Sequence, residues 1–155
     1  MPDLMTHCLA GYVATRRWVL HPLAYVFLVG TVLPDALGRA LSIVVNSTHR
    51  WATPVHTPVG QFVICWTLAQ CFRAGQRRRV FACLFAGSAL HLLLDATQKH
   101  VAGGYLFLFP FSWATWKGGL WWPEDSLLVL PYLLLAVALC EAALYARRRA
   151  RHFPR

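Results

Sequence analysis

Residues 126–145 read SLLVLPYLLLAVALCEAALY. Twenty residues pass with a single acid, Glu141, and no base. A run of ~20 apolar residues is what an α-helix needs to cross the ~30 Å hydrocarbon core of a bilayer. It lacks the strict alternation of a half-buried strand and is longer than most strands, so the reading is a membrane-crossing helix. The rest of the chain repeats this theme on a shorter scale. Apolar stretches run from Leu4 to Thr15, from Trp18 to Leu33, from Val59 to Phe72 and from Val80 to Leu94. Each is bounded by charge or proline: Arg16-Arg17, Pro34-Asp35, the basic residues Arg73 and Arg77 to Arg79, and Asp95. At about 12 to 17 residues they read as short or half-inserted spans flanked by arginines whose stems can snorkel, or as helices that extend into the polar residues beyond. The expected fold is an all-α, integral-membrane helical bundle of about four to five short transmembrane helices. It forms one domain over residues 1–155, with a basic cytoplasmic tail at 147–155.

Composition supports this. Of 155 residues, 57% are hydrophobic and 14% charged, against roughly 45–50% and about 25% in soluble domains. Such apolarity excludes a disordered chain. The formal net charge is +9, but the bases sit between apolar segments, so no nucleic-acid partner is expected and membrane lipids are. The cysteines Cys8, Cys65, Cys71, Cys83 and Cys140 have no CxxC spacing and read as small buried hydrophobes rather than a disulfide scaffold. No basic n-region precedes an apolar h-region, so membrane entry is assigned to the internal helices.

Alternating helices place Arg16-Arg17, the Arg73 to Arg79 segment and the Arg147 to Arg155 segment on one side. These are the majority of the bases, and the positive-inside rule assigns that side to the cytoplasm. The C-terminus is then cytoplasmic. Trp113, Trp116, Trp121 and Trp122 fall in the last outer loop, where they suit an interfacial belt.

The metal-capable side chains fall on the opposite side. His91 and Asp95 are four apart, on one helix face, embedded in leucine. A neutral imidazole and a carboxylate one turn apart can chelate a hard or borderline cation. A His–Asp hydrogen bond that only stabilises the bundle is the plainer alternative. A carboxylate in apolar surroundings is costly unless paired or metal-bound. Asp35 follows Pro34 at the expected outer end of its helix, where it could point inward or cap a further helix. His7 stands near the start of the first stretch, and His56 lies between Pro54 and Pro58. With only six acids in the chain, their convergence on one side favours a shared site.

In order, Thr6-His7…Gly11, Leu33-Pro34-Asp35, His56-Thr57-Pro58…Gly60 and His91-Leu92-Leu93-Leu94-Asp95 resemble the membrane-bound metal-dependent hydrolase family, also described as LexA-regulated inner-membrane hydrolases. Phe109-Pro110-Phe111-Ser112 resembles that family's aromatic-Pro-Phe-Ser segment. The resemblance covers about residues 4 to 135 and extends distantly to zinc-dependent phospholipase C. It implies that His7, Asp35, His56, His91 and Asp95 are metal ligands or close partners. Two places depart from the pattern. Leu37 stands where the family often has a second acid, and His49-Arg50 lies seven residues ahead of His56 instead of directly upstream.

The expected cofactor is a divalent metal, most simply zinc, as one or two ions. The expected reaction is hydrolysis of a phosphoester in a lipid or lipid-linked substrate by metal-activated water, in a bacterial-type inner membrane with the site toward the extracytoplasmic face. Asp35 and Asp95 are the candidate catalytic carboxylates. Arg50, Lys99 and Lys117 are candidates for neutralising phosphate oxygens, or for headgroup attraction alone. His21, His100 and His152 are left outside the site. Glu141 is expected to pair with Arg147 to Arg149, and Glu124-Asp125 to start the last helix. The competing functions are a metal-binding or transport protein and a non-catalytic membrane adaptor. A transport path would spread polar groups through the membrane depth, whereas these cluster at one side.

Overall fold

In the computed structural model, residues 4–16, 21–45, 53–100 and 103–152 are described. The described chain is helical, with two isolated bridges and no strand. The helices are α1 (Leu4–Thr15), α2 (Pro22–Val45), α3 (Pro58–Gln70), α4 (Ala74–Ala96) and α5 (Ser126–His152). Short 3-10 turns, Thr53–His56 and Pro123–Asp125, lead into α3 and α5. The bundle is the one expected from sequence, with its helices divided differently. Three helices are long and apolar enough to cross a membrane, over Pro22–Leu41, Ala74–Ala96 and Leu128–Arg147. α1 and α3, at 12 and 13 residues, are shorter than the ~20 residues a full crossing needs.

The long helices run past the charges at which the apolar stretches stop. α2 does not end at Pro34-Asp35; it continues to Val45, so Asp35 lies inside the helix. The basic residues Arg77 to Arg79, which bound an apolar stretch in the sequence, belong to the first turns of α4. The linking turn is only Cys71 to Arg73. α5 carries the basic segment as helix to His152. Arginine is a good helix former, so a charge at the membrane edge ends the hydropathy without ending the helix.

α2 and α4 make the most extensive contact, with α1 on α2, α3 on α4 and α5 chiefly on α1. The α2–α4 crossing is backbone against backbone. A Cβ on Gly30 would stand 2.3 Å from the Leu84 carbonyl oxygen, and one on Gly87 would stand 2.2 Å from that of Phe27. Only glycine permits this approach, and small residues at helix contacts are how membrane helices come close. Below the crossing, Cys65, Ala69, Val80 and Leu84 form the apolar core, with Phe81 and Phe85 packed against it. Above it the interior turns polar. Thr6, His7, Thr31, Asp35, Gln61, Ser88, His91 and Asp95 are all buried.

The cysteines are not uniformly interior. Cys65 is buried, whereas Cys8, Cys71 and Cys140 are exposed. On a helix facing lipid an exposed thiol is still in apolar surroundings, so hydropathy does not separate the two locations. Glu141 pairs with Arg16, just past the end of α1, through its guanidinium, and accepts a 2.5 Å hydrogen bond from Tyr12 Oη. The Glu124-Asp125 pair forms the 3-10 turn before α5, where Asp125 Oδ2 accepts from the Trp122 amide at 2.9 Å. Trp113, Trp116 and Trp122 are exposed rather than packed in a loop core.

Candidate metal centre

The site grows out of Pro34. A proline within a helix has no N–H for the carbonyl four residues back, here Gly30. Ser88 on α4 supplies the missing donor, its Oγ 3.1 Å from the Gly30 oxygen. One residue further along α2, the Thr31 carbonyl meets His91 Nδ1 at 2.9 Å. The carbonyl can only accept, so Nδ1 carries the proton and donates. His91 and Ser88 are thus seated on adjacent carbonyls of the turn that Pro34 opens, at the place where Gly87 lets α4 come in.

His91 is at the centre of the cluster and fully buried. Its Nε2 lies 3.2 Å from Asp95 Oδ2 and 3.9 Å from Asp35 Oδ1. His7 stacks on the His91 ring at 4.2 Å between centroids, with its Nε2 3.4 Å from Asp95 Oδ1. His56 Nε2 stands 3.2 Å from Asp35 Oδ1. Four elements therefore contribute: α1, α2, the 3-10 turn before α3, and α4. All five ligand candidates named from sequence come together.

His56 is held from below. Thr57 caps α3 by accepting from the Gly60 amide at 3.1 Å and donating to the Pro54 carbonyl at 2.8 Å. Gln61 Nε2 donates to the Val55 carbonyl. Gly38 leaves room for the imidazole, since a Cβ there would lie 2.9 Å from His56 Cε1. His56 is only half-buried, so it marks the side on which the centre is accessible.

The donor set fits a divalent cation. With Nδ1 committed to the Thr31 carbonyl, Nε2 is the His91 nitrogen left to face the two carboxylates. Nε2 makes no hydrogen bond there, and neither does the buried Asp35 Oδ2. Ring nitrogens and carboxylate oxygens gathered in a buried site call for positive charge among them, which a proton or a divalent cation supplies. Donor atoms of His7, Asp35 and His91, and separately of His56, His91 and Asp95, lie within 4.8 Å of one another. Ligands at about 2.0–2.2 Å around a tetrahedral ion stand ~3.3–3.6 Å apart, and the His–Asp separations, from 3.2 to 3.9 Å, bracket that range. The two sets share His91, and together they hold five donors, more than the three that one catalytic zinc uses.

The segment after α4 folds back over its end. Lys99 N donates to Trp121 O at 2.8 Å, Leu120 N to Thr97 O at 2.7 Å, and Tyr105 and Trp116 exchange main-chain bonds of 2.9 and 2.7 Å. Trp116 Nε1 reaches the Ala96 carbonyl at 3.2 Å. Gly103 and Gly104 turn with positive φ of 105° and 115°, in the region that favours glycine. They directly precede Tyr105, which pairs with Trp116 in this fold-back. Burial pushes its phenol above the ordinary value, and the negative charges of Asp95 and Asp35 push it the same way. The phenol therefore lies in the field of both site carboxylates and keeps its proton. Residue pattern alone does not mark Tyr105; its one signal is the Gly103-Gly104 pair before it.

The phosphate candidates fare differently. Lys99 Nζ sits 5.1 Å over the Trp122 ring. Lys117 is exposed. Among the described residues neither is paired with the five donors, and Arg50, like His49, lies outside those residues. His21 accepts from the Leu23 amide at the start of α2, and His100 packs edge-on against Tyr105, 4.5 Å between centroids. Comparison of the chain with protein-family models, curated proteins and solved structures gave no match.

Proposed function

We propose that this chain is an integral-membrane, metal-dependent hydrolase of a phosphoester in a lipid or lipid-linked substrate. One observation carries the reading: His91, its Nδ1 committed to the Thr31 carbonyl, turns Nε2 toward the Asp35 and Asp95 carboxylates without a hydrogen bond. The five donors would hold one or two divalent ions, zinc being the simplest choice for a His and carboxylate set. The ion, when bound, supplies the charge that lowers the pKa of a water and neutralises phosphoryl oxygens.

The protein's own groups divide the remaining work. Asp95, fixed between His7 and His91, serves as ligand. Asp35, whose Oδ2 has no hydrogen bond, accepts the proton of the attacking water as general base. Tyr105, kept neutral, donates to a phosphoryl oxygen as negative charge develops there. Half-buried His56 lies on the route by which the phosphate arrives. Lys99, Lys117 and Arg50 attract the headgroup as it approaches. The arginine distribution assigns the C-terminus to the cytoplasm and the centre to the extracytoplasmic face of a bacterial-type inner membrane.

Metal analysis of the purified full-length protein tests this, together with hydrolysis of a p-nitrophenyl phosphodiester and monoester. Stoichiometric transition metal and metal-dependent turnover are the expected result. Absence of metal after reconstitution would overturn the proposal. Stoichiometric metal without turnover of either ester would favour metal binding or transport.

A further inference from the structure

A groove of about 640 Å³ runs between α1 and α2, lined by residues that include Cys8, Tyr12, Tyr25, Leu28, Val32 and Ala36. Its lining is apolar apart from the cysteine thiol and the two phenols. Cys8 and Tyr25 are exposed, so the groove opens sideways from the bundle instead of into its interior. On α2 the lining falls within the segment Pro22–Leu41, which is long and apolar enough to cross a membrane. Around such a segment the medium is hydrocarbon, so a lipid chain enters the groove without passing through water.

The two ends of the groove differ. At one end, Cys8 directly follows His7 and Ala36 directly follows Asp35, so the groove begins beside two donors of the centre. At the other, Tyr12 Oη is bonded to Glu141, which also pairs with Arg16. That polar cluster closes the end away from the site. From Tyr25 to Ala36 the helix advances about 16 Å at ~1.5 Å per residue, room for an extended chain of about a dozen carbons.

We infer that this groove holds one hydrocarbon chain of the substrate, a lipid phosphoester whose phosphate lies at the His–Asp centre. The inference rests on the hydrolase reading and specifies its substrate class. Bilayer chains are as apolar as the groove, so burial there adds little net attraction. What the groove supplies is alignment: a chain lying along α1 and α2 brings its phosphate to the carboxylates in one orientation.

Cys8 makes this measurable in the full-length, metal-loaded protein. Its rate of maleimide labelling is read by mass spectrometry, with exposed Cys71 and Cys140 as internal references. Hexadecyl phosphate should cause loss of Cys8 labelling and leave the references unchanged, while butyl phosphate protects none of the three. Protection should disappear in Val32→Trp, whose indole fills the groove, and in Leu28→Trp should the first variant not fold. Equal shielding of all three cysteines would mean a general lipid coat and would overturn the inference, as would no protection at all. Hydrolysis of butyl phosphate is followed in parallel. Turnover without Cys8 protection removes the chain site and leaves the hydrolase standing. Specific protection without turnover does the reverse.

Discussion

His91 carries the greatest burden of any side chain in this protein. One ring nitrogen fixes α4 to the carbonyl that Pro34's neighbourhood exposes; the other faces both carboxylates. His91→Ala or Asp95→Ala should abolish bound metal, read by metal analysis, while the protein stays in the membrane fraction. Asp35→Asn keeps the shape and removes the carboxylate proposed as the base. Turnover should fall by about 10²- to 10⁴-fold, the usual range for a general base. Tyr105→Phe should retain metal and lower kcat by about 10²-fold, as for one lost transition-state donor. The sign of the Tyr105 shift sets its pH behaviour. Its pKa lies above the ordinary 10.0, so the donor is present at lower pH and disappears only as pH rises through that raised value. Tyr105 should therefore contribute no alkaline fall in kcat below pH 10, and the wild-type and Tyr105→Phe profiles should share their limbs there. At this scale the sequence was informative. Scarcity of acids singled out Asp35 and Asp95, and helical spacing joined Asp95 to His91. It could not supply the backbone carbonyls of Gly30 and Thr31 as partners, because a hydrogen bond across two helices leaves no mark in local residue pattern.

At the scale of helices, the glycines decide. Gly30 and Gly87 set the depth at which α2 and α4 meet, and that depth aligns Ser88 and His91 with their carbonyls. Gly87→Leu should cost at least the ~1–3 kcal/mol of ordinary overpacking, because backbone atoms cannot yield as side chains do. It should lower the thermal midpoint in detergent and reduce metal content together. Gly75 is the natural control. It lies in the first turns of the same helix, with nothing within 4 Å of a built Cβ. Gly75→Ala should leave metal unchanged and raise stability by up to about 1 kcal/mol. Helix existence was legible from hydropathy, and the ends of α1 agree with the expected stretch residue for residue. The ends of α2 and α4 and the C-terminal end of α5 were not legible, since hydropathy reports where lipid stops and helical hydrogen bonding does not stop there. Pro34 misled for a related reason. It removes one helical bond, and Ser88 from another helix offsets that loss.

Across the whole molecule, α1 to α4 build the centre while α5 lies along the outside of α1. The candidate span in α5 has none of its residues buried, and Glu141 with Tyr12 and Arg16 is its principal polar tie. Glu141→Gln should speed amide exchange along α5 and leave metal content unchanged, read by hydrogen–deuterium exchange and metal analysis. A reporter fused at Arg155 should give a cytoplasmic signal. An extracytoplasmic one would reverse the assigned orientation of the centre. The peripheral place of α5 has a consequence in time. Every donor of the centre, from His7 to Asp95, precedes α5 in the chain, so a nascent polypeptide can bring all five together while the ribosome is still translating the last helix.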